Sequence, residues 1–201
     1  MQRIVDISYN EKLSHIGSSL TTYPILDEIY KKKNPEDKVI LSCGHAGLAL
    51  YVKLEEIYGY NAVEMLHDFG IHPHRDITRG VEASSGSLGS AILVACGMAL
   101  GNPLINVYCV ISDGECAEGS VWEALHFANR LKNLIVYVNI NGYCAYDTID
   151  TNNITLRLKA FLPSINIRFT SSPDVPFFNE LKAHYHVLSE NDYKVLKDIM
   201  V

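Results

Sequence analysis

The chain has 201 residues, 48% of them hydrophobic, with 17 basic side chains against 23 acidic and a formal net charge of −6. That length and apolar content support one domain, or one and a small extension, around a substantial core. The negative balance argues against a nucleic-acid partner or an anionic membrane surface.

A helix is predicted to open the chain, and Met1-Gln2-Arg3-Ile4-Val5-Asp6 lacks the apolar region of an export signal. His15-Ile16-Gly17-Ser18-Ser19 reads as a loop. A second helix is predicted from about Thr22 to Lys32, with Lys31-Lys32-Lys33 as its solvated end. Lys38 to Ser42 reads as a short strand, Gly44-His45 enters a helix that stops at Gly59, and Asn61 to Phe69 is another short helix. Ser87 to Leu100 is apolar on every side and predicts a buried helix. Its longest apolar stretch, Ala91 to Leu100, is too short to span a bilayer, so a cytoplasmic protein is expected. Five cysteines (Cys43, Cys96, Cys109, Cys116 and Cys144) form no Cys-x-x-Cys and no metal-like group with histidine. The first three sit in apolar runs, as reduced core thiols do.

Val107 to Ile111 and Leu134 to Val138 are near-continuous β-branched and aromatic runs, as in parallel strands buried on both faces. Between them Val121, Trp122, Leu125, Ala128 and Leu131 recur at helical spacing, so the unit reads as βαβ, with Ser120-x-x-Glu123 as a candidate cap. Further on, Asn153 to Phe161 looks helical, Ile165 to Thr170 extended, Pro176 to Ala183 helical, Tyr185 to Leu188 extended and Asn191 to Met200 helical. The alternation predicts an α/β fold, a doubly wound, mainly parallel sheet with helices on both faces.

In such sheets ligands sit beyond the carboxyl ends of the strands, where Asp113 and Asn141 stand. Mg2+ takes oxygen ligands in an octahedron, few from protein and the rest from phosphate and water. Asp113 offers a carboxylate, Asn141 an amide oxygen and Tyr143 a backbone carbonyl. Gly114 permits close approach to a phosphate, and the following helix points its N-terminus the same way. The pattern is that of a pocket for a magnesium-bound diphosphate.

Asp113-Gly114-Glu115, Glu118-Gly119, Val121-Trp122-Glu123-Ala124, Asn133-Leu134-Ile135 and Asn141-Gly142 resemble the thiamine diphosphate motif of the transketolase family, Gly-Asp-Gly followed after about thirty residues by Asn. Ser112 stands where that motif has its first glycine, which requires extended rather than positive-φ backbone there. The Asp113-to-Asn141 spacing is also about two residues short. Ser14 to Leu20 and Ser42 to Ala46 resemble the family's first and second histidine loops, and Ile71-His72-Pro73 with Gly80-Val81-Glu82 resembles the third. Ser85-Gly86-Ser87-Leu88-Gly89 is similar to the loop that lines the cofactor's pyrimidine ring. These matches cover roughly residues 10 to 150.

The resemblance implies a thiamine diphosphate-binding fold of the diphosphate-domain type. Residues 1–201 would be a single such domain, short at its C-terminal end, with the pyrimidine-binding domain absent from the chain. It implies thiamine diphosphate and Mg2+ as cofactors, with Ca2+ or Mn2+ able to substitute. Asp113, Asn141 and the Tyr143 carbonyl would hold the metal, Gly114 and Glu115 would meet the cofactor, and Gly86, Ser87 and Leu88 would support its pyrimidine. His15, His45 and His72 would be catalytic, since neutral imidazoles both donate and accept protons. Glu118 would be a catalytic glutamate at the subunit interface, compatible with the plainer role of a carboxylate at a helix N-terminus. His67, His74, His126, His184 and His186 carry no motif and read as ordinary surface or capping residues. Ala183 to Val187, continuing through Asp192-Tyr193, is loosely similar to the family's next strand and helix. A later family segment, which carries another substrate-facing histidine, has no counterpart here.

The implied function is that of one subunit of a two-subunit transketolase-like enzyme transferring a two-carbon ketol unit from a ketose, such as a ketose phosphate, to an aldose. Its partner would be a separately encoded pyrimidine-domain subunit in an α2β2 heterotetramer, and the chain would also self-associate. Two alternatives stay open: a subunit of a thiamine diphosphate-dependent 2-oxoacid decarboxylase or carboligase, and a degenerate, non-catalytic partner domain.

Overall fold

A computed structural model describes residues 1–145 and 147–199. Strands β1 (Lys38–Leu41), β2 (Val107–Ser112), β3 (Leu134–Ile140) and β4 (Asn166–Phe169) form one parallel sheet in the order β1-β2-β3-β4. β2 is buried along its whole length, and only Ile135 of β3 is less than buried, as their unbroken apolar runs require.

Alternation along each strand splits the core in two. Val39, Leu41, Tyr108, Val110 and Tyr137 face one layer, and Ile40, Cys109, Ile111, Val136 and Val138 face the other. The first layer holds α1 (Gln2–Asn10), α2 (Ile16–Lys32), α3 (Gly47–Tyr58) and α4 (Ala62–Phe69). α8 (Glu190–Ile199) closes back on α1, where Tyr193 stacks on Tyr9 at 4.3 Å and donates its hydroxyl to Asp6 at 2.8 Å. The second layer holds α5 (Ala91–Gly101), α6 (Gly119–Ala128) and α7 (Thr151–Phe161), the crossovers into β2, β3 and β4. The fold is therefore α/β with a parallel sheet covered on both faces. The strand order runs straight, so loops at the carboxyl edge, rather than a reversal of order, build the crevice. No helix among the described residues is long and apolar enough to cross a membrane.

Several elements depart from the sequence reading. α2 starts at Ile16, about a turn and a half before the predicted Thr22, and continues through Pro24. Gly17, Ser18 and Ser19 are weak helix formers, but burial of Ile16, Ser19 and Leu20 overrides propensity. The helix predicted from Ser87 starts only at Ala91, after a turn, and is not buried all round. Ala91, Ile92, Ala95, Cys96 and Ala99 pack on the sheet, while Leu93 and Val94 lie 46% and 41% exposed because no third layer covers them. The Ser120-to-Glu123 capping box does not form. α6 begins at Gly119 with Glu118 as its N-cap residue, and Ser120 donates instead to the Gly89 carbonyl at 3.1 Å. No α-helix spans Pro176–Ala183 and no strand spans Tyr185–Leu188; a short 3-10 turn, Leu181–Tyr185, takes their place. Asn179 in that segment has φ of 60°, which a helix cannot accommodate. The last predicted helical residue, Met200, lies outside the described residues.

Candidate active site

The register of β2 on β3 decides where the site forms. Ser112 pairs with Asn139, so the chain leaves both strands side by side. Asp113 N–H donates to the Asn139 carbonyl at 2.9 Å, and the Asp113 carboxylate accepts from the Asn141 and Gly142 amides at 2.9 and 2.8 Å and from the Gly114 amide at 3.0 Å. Residues 28 apart in sequence thus meet at the sheet edge. Asn141 Oδ1 accepts from the Tyr143 amide at 3.0 Å, which folds Tyr143 into the same turn.

Asp113 is only 1% exposed and has no cationic partner among the described residues. Burial raises its carboxyl to about 6, against the pull of its three amide donors. A buried carboxylate held by backbone amides is a group suited to a divalent cation. No three His, Cys, Asp or Glu side chains converge on one point among the described residues. One carboxylate, one amide oxygen and one carbonyl make an incomplete octahedron for a hard cation, and phosphate and water oxygens would complete it. The donor set therefore fits Mg2+ delivered with a diphosphate.

Ser112 ends β2 in extended backbone and is not among the residues with positive φ, so its Cβ is accommodated. Its hydroxyl accepts from the Glu115 amide at 3.3 Å. Glu115 is fully buried and its carboxylate is engaged by protein donors: Ser42 Oγ at 2.7 Å, the Gly89 amide at 3.0 Å and the Ser112 amide at 3.1 Å. It ties the loops after β1 and β2 to the loop before α5 and does not line the cavity. Gly44 explains the tightness of that junction, since a Cβ there would lie 1.9 Å from the Ser85 carbonyl oxygen.

A cavity of about 350 Å³ opens over this edge, lined by Asp113, Gly114, Asn141, Tyr143, Gly86 and Leu88. The same wall carries His15, His45 and His72, brought from three separate loops. The His15 ring lies 6.1 Å from each of the other two, centroid to centroid. His15 itself is left-handed, at φ 63° and ψ 18°, and its Nδ1 lies 2.6 Å from Ser14 Oγ. Besides Glu115, two predicted residues stand outside this wall: Ser87 is exposed in the turn before α5, and Glu118 is exposed at the start of α6.

Among the wall residues not anticipated, two are aromatic or imidazole side chains from a distant segment. His184 stands 4.3 Å from the His15 ring and 5.9 Å from that of His45, and Tyr185 lies 5.7 Å from His15. No local pattern marks them, because the segment reaches the site only by tertiary folding. His67 and His186 lie away from the cavity and pair with carboxylates, Glu11 at 2.8 Å and Asp192 at 3.0 Å.

Burial pushes His15 down to about 4 and His45 to about 3, so both are neutral imidazoles at physiological pH. The unfolded chain takes up protons near 6.5 that the fold refuses, so stability is lost as pH falls from 6.5 towards 4. Asp113, raised to about 6, opposes this by gaining stability over part of the same range. Thermal melts of wild type against His45→Gln should show the variant losing less stability on acidification, by on the order of a few kcal/mol. Parallel acid limbs in the two proteins would refute the assignment.

The sequence pattern described as "Transketolase, thiamine diphosphate binding domain" matches residues 5–162. The 6-deoxy-6-sulfo-D-fructose transketolase subunit SqwG of a Clostridium species is 34% identical over 152 residues, covering 64% of this chain and 55% of that protein. One of the apulose-4-phosphate transketolase subunits of Phocaeicola vulgatus is 31% identical over 162 residues, covering 70% and 57%. The chain thus spans about half the length of these relatives. In fold, a crystallised transketolase variant from Pichia stipitis superposes with a TM-score of 0.80 at 22% identity, over 98% of this chain and 39% of that one. Matched over most of its length, the chain belongs to the transketolase family and contains its thiamine diphosphate binding domain.

Proposed function

We propose that this chain is the diphosphate- and metal-binding subunit of a two-part, transketolase-like transferase. It moves a two-carbon ketol unit from a ketose to an aldose together with a separately made pyrimidine-domain subunit, in an α2β2 assembly. The observation that carries this reading is the convergence of Asp113, Asn141 and Tyr143 with three histidine loops on one cavity. The names of the two bacterial relatives, each one subunit of a transketolase, support a divided enzyme.

Thiamine diphosphate, when bound, supplies the carbanion chemistry. Asp113, Asn141 and the Tyr143 carbonyl hold Mg2+, and Gly114 lets the backbone approach the diphosphate. Leu88 and Gly86 back the pyrimidine. Glu115 is a positioning residue that fixes the loops around these groups. His15 and His45, kept neutral by burial, donate to or accept from the substrate's carbonyl oxygen and hydroxyls. Glu118, exposed at the head of α6, would meet the partner subunit. Among the described residues the cavity wall carries no Lys or Arg. An anionic end of the substrate, such as the sulfonate or phosphate in the relatives' names, is therefore held by the partner.

The test mixes the chain with its pyrimidine-domain partner, titrates thiamine diphosphate with Mg2+, and follows ketol transfer from xylulose 5-phosphate to a series of aldoses. Cofactor binding without transfer to any aldose sinks the proposal. Decarboxylation of pyruvate by the same mixture would support the 2-oxoacid reading instead. Failure to bind the cofactor would mark a degenerate domain.

The chain is also expected to self-associate through α5. Leu93, Val94 and Leu100 are 46%, 41% and 62% exposed on one helix, an apolar patch that water disfavours. Sedimentation velocity of the chain alone should show a dimer or larger species that Val94→Asp with Leu100→Asp shifts towards monomer. A strictly monomeric wild type would refute this.

A further inference from the structure

We infer that His184 and Tyr185 form a substrate-contacting pair that binds the hydroxylated carbon chain of a sugar, a role that rests on the ketol-transfer reading above. Four histidine rings meet in this cavity, and the fourth comes from the 3-10 turn Leu181–Tyr185. The His184 ring packs edge-on against His15 at 4.3 Å, and its carbonyl accepts from the His15 amide at 3.1 Å. That backbone bond holds the chain where His15 adopts its left-handed conformation, which a β-carbon disfavours.

The side chain has a different part. Among the described residues neither ring nitrogen of His184 has a hydrogen-bond partner, in contrast to His67 and His186 with their carboxylates. A half-buried imidazole with free nitrogens offers one donor and one acceptor, which suits vicinal hydroxyls. Tyr185 lies edge-on to His184 at 4.8 Å and is 65% exposed, although its ring is large and apolar. Such a ring presents an apolar face to the C–H side of a sugar chain while the imidazole addresses its hydroxyl side.

His184 also stands where two spaces join. His15, Ser18, Asn141 and His184 line both the main cavity and a small neighbouring cleft of about 50 Å³. The cleft wall adds Ser172, Asn179 and Glu180 and carries no Lys or Arg among the described residues. In the main cavity a wall of imidazole, amide and hydroxyl groups without a Lys or Arg among the described residues suits a neutral, polyhydroxylated chain better than a phosphate or sulfonate.

The test uses the full chain and xylitol, a polyol with no carbonyl to turn over. Imidazole C–H cross-peaks are followed by NMR, the His184 peak being assigned by its loss in His184→Asn. Saturable movement of the His184 and His15 peaks is expected, with His67 and His186 unmoved. Xylitol binding should weaken at least tenfold in His184→Ala and in Tyr185→Ala but less than threefold in Tyr185→Phe. The melting temperature and the Mg2+-dependent affinity for thiamine diphosphate should stay at wild-type values in His184→Ala, which separates ligand contact from a structural role. A stationary His184 peak, or xylitol affinity within twofold of wild type in His184→Ala, overturns the inference. If His184 follows xylitol while the chain and partner fail to transfer a ketol unit, the functional proposal falls and the sugar site stands.

Discussion

Asp113→Asn is expected to abolish Mg2+-dependent thiamine diphosphate binding while leaving the cofactor-free fold intact. The Asp113 carboxylate is buried, accepts from three backbone amides, and has no cation beside it among the described residues. An asparagine oxygen can take the place of the atom that accepts from Asn141 and Gly142, so the link between the β2 and β3 loops survives. The amide nitrogen loses the bond from Gly114, at about 1 kcal/mol. Relief of a buried charge offsets that cost, since burial already raises the Asp113 carboxyl to about 6. The charge matters only once a divalent cation arrives. Its loss removes the one anionic protein ligand of a site with few others, and an affinity drop of at least about 100-fold, or about 2.7 kcal/mol, is expected. Isothermal titration with the partner present checks the affinity, and thermal melts with and without Mg2+ check the fold. Titration curves that superpose on wild type would remove Asp113 from the metal site.

The residues that proved legible in sequence are those whose neighbours are fixed by local rules. Val107 to Ile111 and Leu134 to Val138 could be read as paired strands because β-branched runs of that length rarely serve otherwise. Once paired, they force Asp113 and Asn141 together at their ends, as the bonds between them show. The stop of α3 at Gly59, which is left-handed, was readable for the same reason, and the start of α4 was read to within one residue, Asn61 being its N-cap. His184 was not legible. Its neighbours His15 and His45 are far away in sequence, and no periodicity links the turn that carries it to the sheet edge. The exposed side of α5 escaped for a related reason: apolar residues all round a helix predict burial, but only packed layers can supply it. α2 shows the converse, tertiary burial drawing a Gly-Ser-Ser segment into a helix that propensity would end sooner.

Glu115→Ala is expected to destabilise the chain by about 3–5 kcal/mol and to disorganise the cavity with it. The Glu115 carboxylate receives Ser42 Oγ and the Gly89 amide on one oxygen and the Ser112 amide on the other. Removal leaves three buried donors without an acceptor, and the desolvation cost of each then stands uncompensated. Those donors belong to the loop after β1 that carries His45, the loop that carries Leu88, and the end of β2 before Asp113. One substitution therefore loosens the parts of the cavity that carry His45, Leu88 and Asp113 together. Glu115→Gln distinguishes hydrogen bonding from simple space filling. Its amide oxygen can keep the Ser42 and Gly89 bonds, but its NH2 group would face the Ser112 N–H, donor against donor. A loss of about 1–3 kcal/mol, intermediate between wild type and alanine, follows from that single mismatch. Urea unfolding of the three proteins at one pH orders them directly. If the alanine variant unfolds within about 1 kcal/mol of wild type, the carboxylate is not what fastens the three loops.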